Sequence, residues 1–321
     1  MKTFIFIPDT TKKAGLGHLF RCFKYSNFVK KNYIIAFLIN ENFNKKFLID
    51  KNLNGIKIKY IFYSSINSAL VSLSHKYKNI ITFVDTYNSK IHNIDFKKIS
   101  NKHISILDFK IKSDSDFIID HAFDRKINFY ETNKNQKVSV GLKNFPVFQK
   151  VIFSERNLIL INFGSVKNKL LIKKSLLFLK NLKLNKLYKI IIIDKYISKK
   201  YINSFKLKNR IIHYKFVKNI EEIYKNTFFS IGACGISLYE KCFFKIPSIV
   251  KSVAKNQSNN FKSFYSKGCI LDFNKIIKLN GKKTSHSIKF FKEINKTENA
   301  IKMYFNYKKN KNYLYKLFNK F

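Results

Sequence analysis

A histidine following two closely spaced glycines, Gly15-Leu16-Gly17-His18, with Arg21 and Cys22 just beyond it, is the stretch of this chain best suited to chemistry. It comes after a short apolar strand, Phe4 to Ile7, and opens a run with helical character. Glycines let a backbone come close to a ligand, and a helix N-terminus carries partial positive charge. Together they suit an anionic ligand with an imidazole base beside it. A plain glycine turn carrying a surface histidine would read the same locally, so the weight falls on what accompanies it.

A second segment of this kind lies in the other half of the chain. Ser230-Ile231-Gly232-Ala233-Cys234-Gly235-Ile236-Ser237-Leu238-Tyr239-Glu240 reads as a strand end, a glycine loop and a helix start. Backbone N–H groups near Gly235 can hold a diphosphate. Ser237 and Glu240 have the spacing of a capping box, and Glu240 is equally suited to the ribose hydroxyls of a nucleotide. Val84-Asp85-Thr86-Tyr87 places an acid and a phenol at another strand end, either beside His18 or as an Asx turn. Asn256 and Gln257 offer two neutral amides that can both donate to and accept from a sugar. The remaining histidines, His75, His92, His103, His121, His213 and His286, share no spacing and read as structural or solvated. Asp120 and His121 are neighbours and point to opposite faces if their strand continues.

Short apolar runs alternate with longer amphipathic ones, the pattern of parallel α/β domains. In the first half, strands are expected at 4–7, 34–39, 56–62, 80–84, 104–107 and 117–119, with helices at 19–30 and 67–77. The polar stretch 125–149 reads as an irregular junction. The pattern then restarts with strands at 157–163, 189–193, 210–214, 227–231 and 247–250. The expected architecture is two Rossmann-like domains, 1–148 and 149–286, with a ligand cleft between them, followed by a basic helical tail at 287–321.

The formal charge of +44 would ordinarily suggest a nucleic acid or a membrane surface. Only Arg21, Arg125, Arg156 and Arg210 among the 63 basic residues are arginines, and the lysines are spread along the whole chain. Abundant Lys, Ile, Asn and Phe, with little Ala, Gly or Pro, reflect a drift towards AT-rich codons. No dedicated nucleic-acid binding is expected. The basic tail reads either as a helix closing back on the first domain or as a contact for anionic lipid, and charge alone does not choose. Cys22, Cys234, Cys242 and Cys269 lack metal-site or disulfide spacing and read as thiols of a reducing cytoplasm. No apolar run has a membrane-spanning length, and the N-terminus reads as a first strand and not a signal peptide.

Taken in order, the segments resemble one family. Gly15-Leu16-Gly17-His18-Leu19-Phe20-Arg21-Cys22 is similar to its GxGHxxRC segment, Val84-Asp85-Thr86-Tyr87 to its VDxY segment, and Ile231 to Cys242 to its IGAGGSTxWERC segment. Ile246 to Val250 and Val253-Ala254-Lys255-Asn256-Gln257 follow at matching distances. The family is the UDP-sugar hydrolases of pseudaminic acid biosynthesis, relatives of the MurG-like glycosyltransferases. The resemblance covers about residues 1 to 273. It implies a GT-B architecture and hydrolysis of a UDP-linked diacetamido-trideoxy-altrose to UDP and free sugar, with no metal and no cofactor. By the match, His18 activates water, Tyr87 and Asn256 position sugar or water, and Gln257 stands beside them. Glu240 holds the ribose. Backbone around Gly164 and Gly235 holds the diphosphate, and Gly15, Gly17, Arg21, Asp85, Ser165 and Ser237 are further substrate-binding positions. Two departures fall on the nucleotide loops: Phe163-Gly164-Ser165-Val166 lacks a glycine and an acid, and Cys234 and Ile236 replace a glycine and a small hydroxyl residue. A glycosyltransferase of the same architecture, or a degenerate sugar-nucleotide binder, are the other readings.

Overall fold

The computed structural model describes residues 2–11, 16–48, 52–53, 56–147, 155–164, 167–182, 184–278 and 284–321. The chain divides into two units, Met1–Phe148 with Lys308–Phe321, and Gln149–Tyr307.

The first unit is built on strands β1 (Thr3–Pro8), β2 (Ile34–Asn40), β3 (Asn52–Leu53), β4 (Ile56–Tyr63), β5 (Ile80–Asp85), β6 (Lys102–Ile106), β7 (Phe117–Asp120) and β8 (Lys137–Val140). They lie in the order β3-β4-β2-β1-β5-β6-β7-β8, all parallel except the short β3. Every residue of β1 and β5 is buried. That explains their largely apolar sequences, since a parallel strand is covered on both faces. Helices α1 (Gly17–Ser26), α2 (Ile66–Lys76) and α3 (Ser89–His92) follow β1, β4 and β5. The strand order reverses between β1 and β5, so the loops leaving these two strands open at the sheet's switch point. Both candidate segments of this unit, His18 and Asp85 to Tyr87, leave from there.

The second unit repeats the plan. Strands β9 (Leu158–Asn162), β10 (Lys189–Ile193), β11 (Ile211–Tyr214), β12 (Thr227–Ala233), β13 (Ser248–Lys251) and β14 (Leu271–Asp272) form a parallel sheet ordered β11-β10-β9-β12-β13-β14. Around it lie α4 (Lys169–Asn181), α5 (Lys199–Asn203), α6 (Glu221–Lys225), α7 (Ile236–Phe243), α8 (Ser258–Ser266), α9 (Phe273–Lys278) and α10 (Thr284–Tyr304). Its switch point lies between β9 and β12, where Gly164 and Cys234-Gly235 emerge.

The structure departs from the sequence expectations in three places. The helix expected over 19–30 stops at Ser26, where Ser26 and Asn27 side chains bond the Phe23 carbonyl and draw the last turn closed. Part of the stretch read as irregular is β8, an edge strand. The tail expected at 287–321 is divided between the units, its last helix closing on the first as one of the two readings had it: α10 sets Phe290 and Ile294 into the second core, and α11 (Tyr307–Asn319) sets Leu314, Leu317 and Phe318 into the first. Phe318 packs its ring 6.2 Å from Phe4, 5.9 Å from Tyr25 and 5.6 Å from Phe83. Lys308, Lys309 and Lys316 point outward from the same helix, and that run of charge obscured the apolar stripe. All four cysteines are buried free thiols. Among the described residues no helix is long and apolar enough to cross a membrane.

Candidate active site

Helix α1 carries two functional stripes. Leu19, Cys22, Phe23 and Ser26 recur at helical spacing and face the core. His18, Arg21 and Tyr25, three and four apart, line the adjacent flank that meets the end of β5. Asp85 is the last residue of that strand and is fully buried. It accepts from His18 Nδ1 at 2.6 Å, and from Arg21 Nε at 2.7 Å and Nη2 at 2.5 Å. The Cys22 thiol lies 3.8 Å from the same carboxylate.

The electrostatics fix the direction of each bond. Burial pushes the Asp85 carboxyl up, but Arg21 and His18 outweigh it and hold it well below the usual carboxylate range. Burial likewise opposes the charge on Arg21, and Asp85 restores it. An ionised carboxylate only accepts, so His18 donates from Nδ1, and in the neutral ring Nε2 is the atom that carries the lone pair. Arg21 Nη2 stands 3.3 Å from His18 Nδ1, a contact between two donors that both serve Asp85. The imidazole is thereby held in the tautomer a general base needs.

Around this core the structure gathers residues that the sequence did not single out. Asp108, just past β6, accepts from Tyr87 Oη at 3.1 Å and from Arg21 Nη1 at 3.4 Å. The Tyr87 ring stands edge-on to His18 at 4.6 Å. The residue is 40% exposed, which leaves it reachable by a ligand. His121 Nε2 accepts from Arg21 Nη1 at 3.4 Å, and burial lowers this imidazole to about 3, so it stays neutral. His121 therefore belongs to the cluster and is not merely a solvated or packing histidine. Its neighbour Asp120 turns the other way, to Arg125 Nε at 2.9 Å and Tyr130 Oη at 2.9 Å. Asp9 ties the two strand ends together: Asp9 N donates to the Asp85 carbonyl, and its carboxylate accepts from Thr86 Oγ1 and Thr11. The Asx turn forms at Asp9 and not at Asp85. The available signal was an acid or histidine directly after an apolar strand, which in a parallel sheet falls at the carboxyl edge.

Arg21 and Asp85, expected as substrate contacts, are 3% and 0% exposed and bond one another and His18. Gly17 begins α1, and a Cβ there would meet none of the described residues within 4 Å. Gly15 lies outside the described residues, as does Ser165.

In the second unit, Gly164 has φ of +87°, a conformation that suits glycine, and its N–H bonds Asn162 Oδ1 at 2.7 Å. Gly235 is the N-cap of α7, so Ser237 sits inside the first turn and makes no cap hydrogen bond. The expected capping box is absent because the helix begins before Ser237. Glu240 instead accepts from Tyr224 Oη at 3.3 Å. Gln257 places Nε2 3.8 Å from the Cβ position of Gly235 and accepts from Val253 N through Oε1. Asn256, in the same short turn after β13, is exposed. Gly164, Gly235, Ser237, Glu240, Asn256 and Gln257 thus all follow β9, β12 or β13, three adjacent strands. Among the described residues no cluster of three or more acid, histidine or cysteine side chains is arranged to hold a metal ion.

No protein-family model and no curated protein matches this chain in sequence. Solved structures do match its fold. MurG of Acinetobacter baumannii superposes with a TM-score of 0.65 at 13% identity, over 100% of both chains. A UGT transferase from Siraitia grosvenorii in complex with UDP gives 0.64 at 9% identity, over 100% of this chain and 99% of that one. Phytolacca americana UGT2, complexed with UDP-2-fluoro-glucose and pterostilbene, gives 0.62 at 10% identity over 95% of each. The chain has the GT-B fold, two Rossmann-like parallel-sheet domains, that these glycosyltransferases have.

Proposed function

We propose that the chain transfers a glycosyl group from a UDP-linked sugar to an oxygen nucleophile, with His18 as the general base. The observation that carries this reading is the buried Asp85 carboxylate, which holds both His18 and Arg21 and leaves Nε2 as the free base. His18 takes the proton of the nucleophile's O–H as that oxygen bonds the anomeric carbon. The bond from that carbon to the diphosphate oxygen breaks, and UDP leaves with the electron pair. The α7 N-terminus and the loops at Gly164 and Gly235 are suited to the diphosphate, and Glu240 to the ribose. Tyr87, with its phenol anchored on Asp108, and Asn256 with Gln257 are suited to the sugar. Support for UDP comes from the fold-level likeness to structures solved with UDP and a UDP-sugar.

The nature of the nucleophile divides two readings. The structural neighbours are glycosyltransferases, which favours an acceptor hydroxyl. The match of His18 and of Asp85-Thr86-Tyr87 to the pseudaminic-pathway hydrolases favours water and a UDP-linked diacetamido-trideoxy sugar. UDP release from UDP-sugars, measured with and without candidate acceptors, separates them. Release that depends on acceptor supports transfer, and release in buffer alone supports hydrolysis. Both predict that His18→Ala loses on the order of 10²–10⁴-fold in rate. A folded His18→Ala variant with full activity sinks the role of His18, and a protein that binds no sugar nucleotide sinks both readings.

A further inference from the structure

Among the described residues Lys241 is the one lysine in the fully buried core of the second unit, 1% exposed, on the inward face of α7. Its Nζ has no hydrogen-bond partner among the described residues. Helical side chains lean towards the N-terminus of their helix, and this one runs back beneath the glycine loop. The amine comes to rest 3.2 Å from where a Cβ of Gly232 would be, at the end of β12 beside β9. A buried ammonium without a partner is costly and does nothing for packing that a methionine would not do. It lies beside the end of β12, where the chain turns through Cys234-Gly235 into the α7 N-terminus.

We infer that Lys241 is a buried counter-charge for the diphosphate of a bound nucleotide, adding its field to that of the α7 N-terminus. The inference rests on the nucleotide reading above and assigns to that site a residue that does not touch the ligand. Lys241 is a positioning residue in this sense: it sets how strongly the loop attracts negative charge. The titratable groups around it are Cys234 at the loop and Cys242 and Glu240 on α7. Burial pushes the Cys234 thiol up to about 12 and Cys242 well above its ordinary value, so both thiols are neutral. Burial lowers the Lys241 amine to about 8. The amine therefore loses its proton readily when no anion is bound, and a diphosphate nearby favours the charged form.

The test is calorimetric binding of UDP and of uridine to the wild type and to Lys241→Met, at pH 7.5 and 9. The wild type is expected to bind UDP several-fold more weakly at the higher pH. The variant is expected to bind UDP on the order of tenfold more weakly at pH 7.5, with little further loss at pH 9. Uridine, which shares the base and its titration, should bind both proteins alike. Thermal melting should show the variant at least as stable as the wild type at pH 7.5, because an unpaired buried charge has gone. Equal UDP affinity in a folded variant overturns the inference and leaves the nucleotide reading intact. Equal losses for UDP and uridine also overturn it, by assigning Lys241 a packing role. A wild type that binds neither UDP nor other nucleoside diphosphates overturns both.

Discussion

Replacing Asp85 by Asn keeps the side chain's size and removes its charge, and the donors around it dictate the outcome. Oδ1 receives His18 Nδ1 and Arg21 Nη2, while Oδ2 receives Arg21 Nε. If the amide nitrogen takes the Oδ2 position, it meets the Nε–H of Arg21 donor to donor. If it takes the Oδ1 position, it donates to His18 Nδ1 and drives the proton to Nε2, so the base is disabled. Either orientation strips a buried guanidinium of its closer ion pair and leaves it Asp108 at 3.4 Å, which costs up to about 3–5 kcal/mol of stability. Against a total of about 5–15 kcal/mol this lowers the melting temperature without abolishing the fold. Turnover should fall on the order of 10³–10⁴-fold, as expected when the orienting acid of a histidine base is neutralised. The assay is UDP release from the best UDP-sugar found, with UDP affinity measured separately by calorimetry. Affinity should stay within about threefold, since Asp85 is not among the nucleotide loops. A folded Asp85→Asn protein within threefold of wild-type turnover would refute the assignment of His18 as an oriented base.

Three further outcomes are expected. Gly232→Ala should destabilise the second unit severely, because its Cβ would lie 2.1 Å from the Asn162 carbonyl oxygen; a melting temperature equal to wild type refutes the close approach of β12 to β9. Phe318→Ala should cost about 3–5 kcal/mol, read as a lowered denaturant midpoint, since the ring is buried against Phe4, Tyr25 and Phe83. Burial lowers His103 to about 3 in the folded protein, where Thr82 and Ser105 hydroxyls bond its ring. The unfolded chain takes up that proton near pH 6.5. Stability from this group is thus complete above pH 6.5 and falls with a slope of about 1.4 kcal/mol per pH unit down to about pH 3. His103→Gln should flatten that acid arm in denaturation midpoints measured across the range, and an unchanged arm refutes the assignment.

The strands around both switch points were legible from apolar runs because parallel strands are buried on both faces. His18, Asp85 and Tyr87 could be picked out because each follows such a run directly. The bond between His18 and Asp85 could not, since it depends on β1 lying beside β5 and not beside another strand. Asp108 and His121 were passed over for the same reason: β6 and β7 continue the sheet in sequence order, and nothing in their local sequence states how far an arginine on α1 reaches. Ser237 and Glu240 misled in the opposite direction. Their spacing fits a cap, yet Gly235 already starts the helix and leaves Ser237 inside it. Lys241 sat unnoticed among the chain's many lysines, because only burial distinguishes it.

Helix α11 bears on how the protein is made. The first unit needs Leu314, Leu317 and Phe318 to cover Phe4, Phe28 and Phe83. Ribosomes deliver those residues only after the whole second unit has been synthesised, roughly 8–30 s later at ordinary elongation rates. The N-terminal unit therefore waits with an aromatic face open, and cannot complete its core in the order in which it emerges. The His18 and Arg21 flank shares α1 with that core, so its final geometry is set after the second unit has emerged. A nascent chain stalled before residue 308 should accordingly be held by chaperones, even though its first sheet is already complete in sequence.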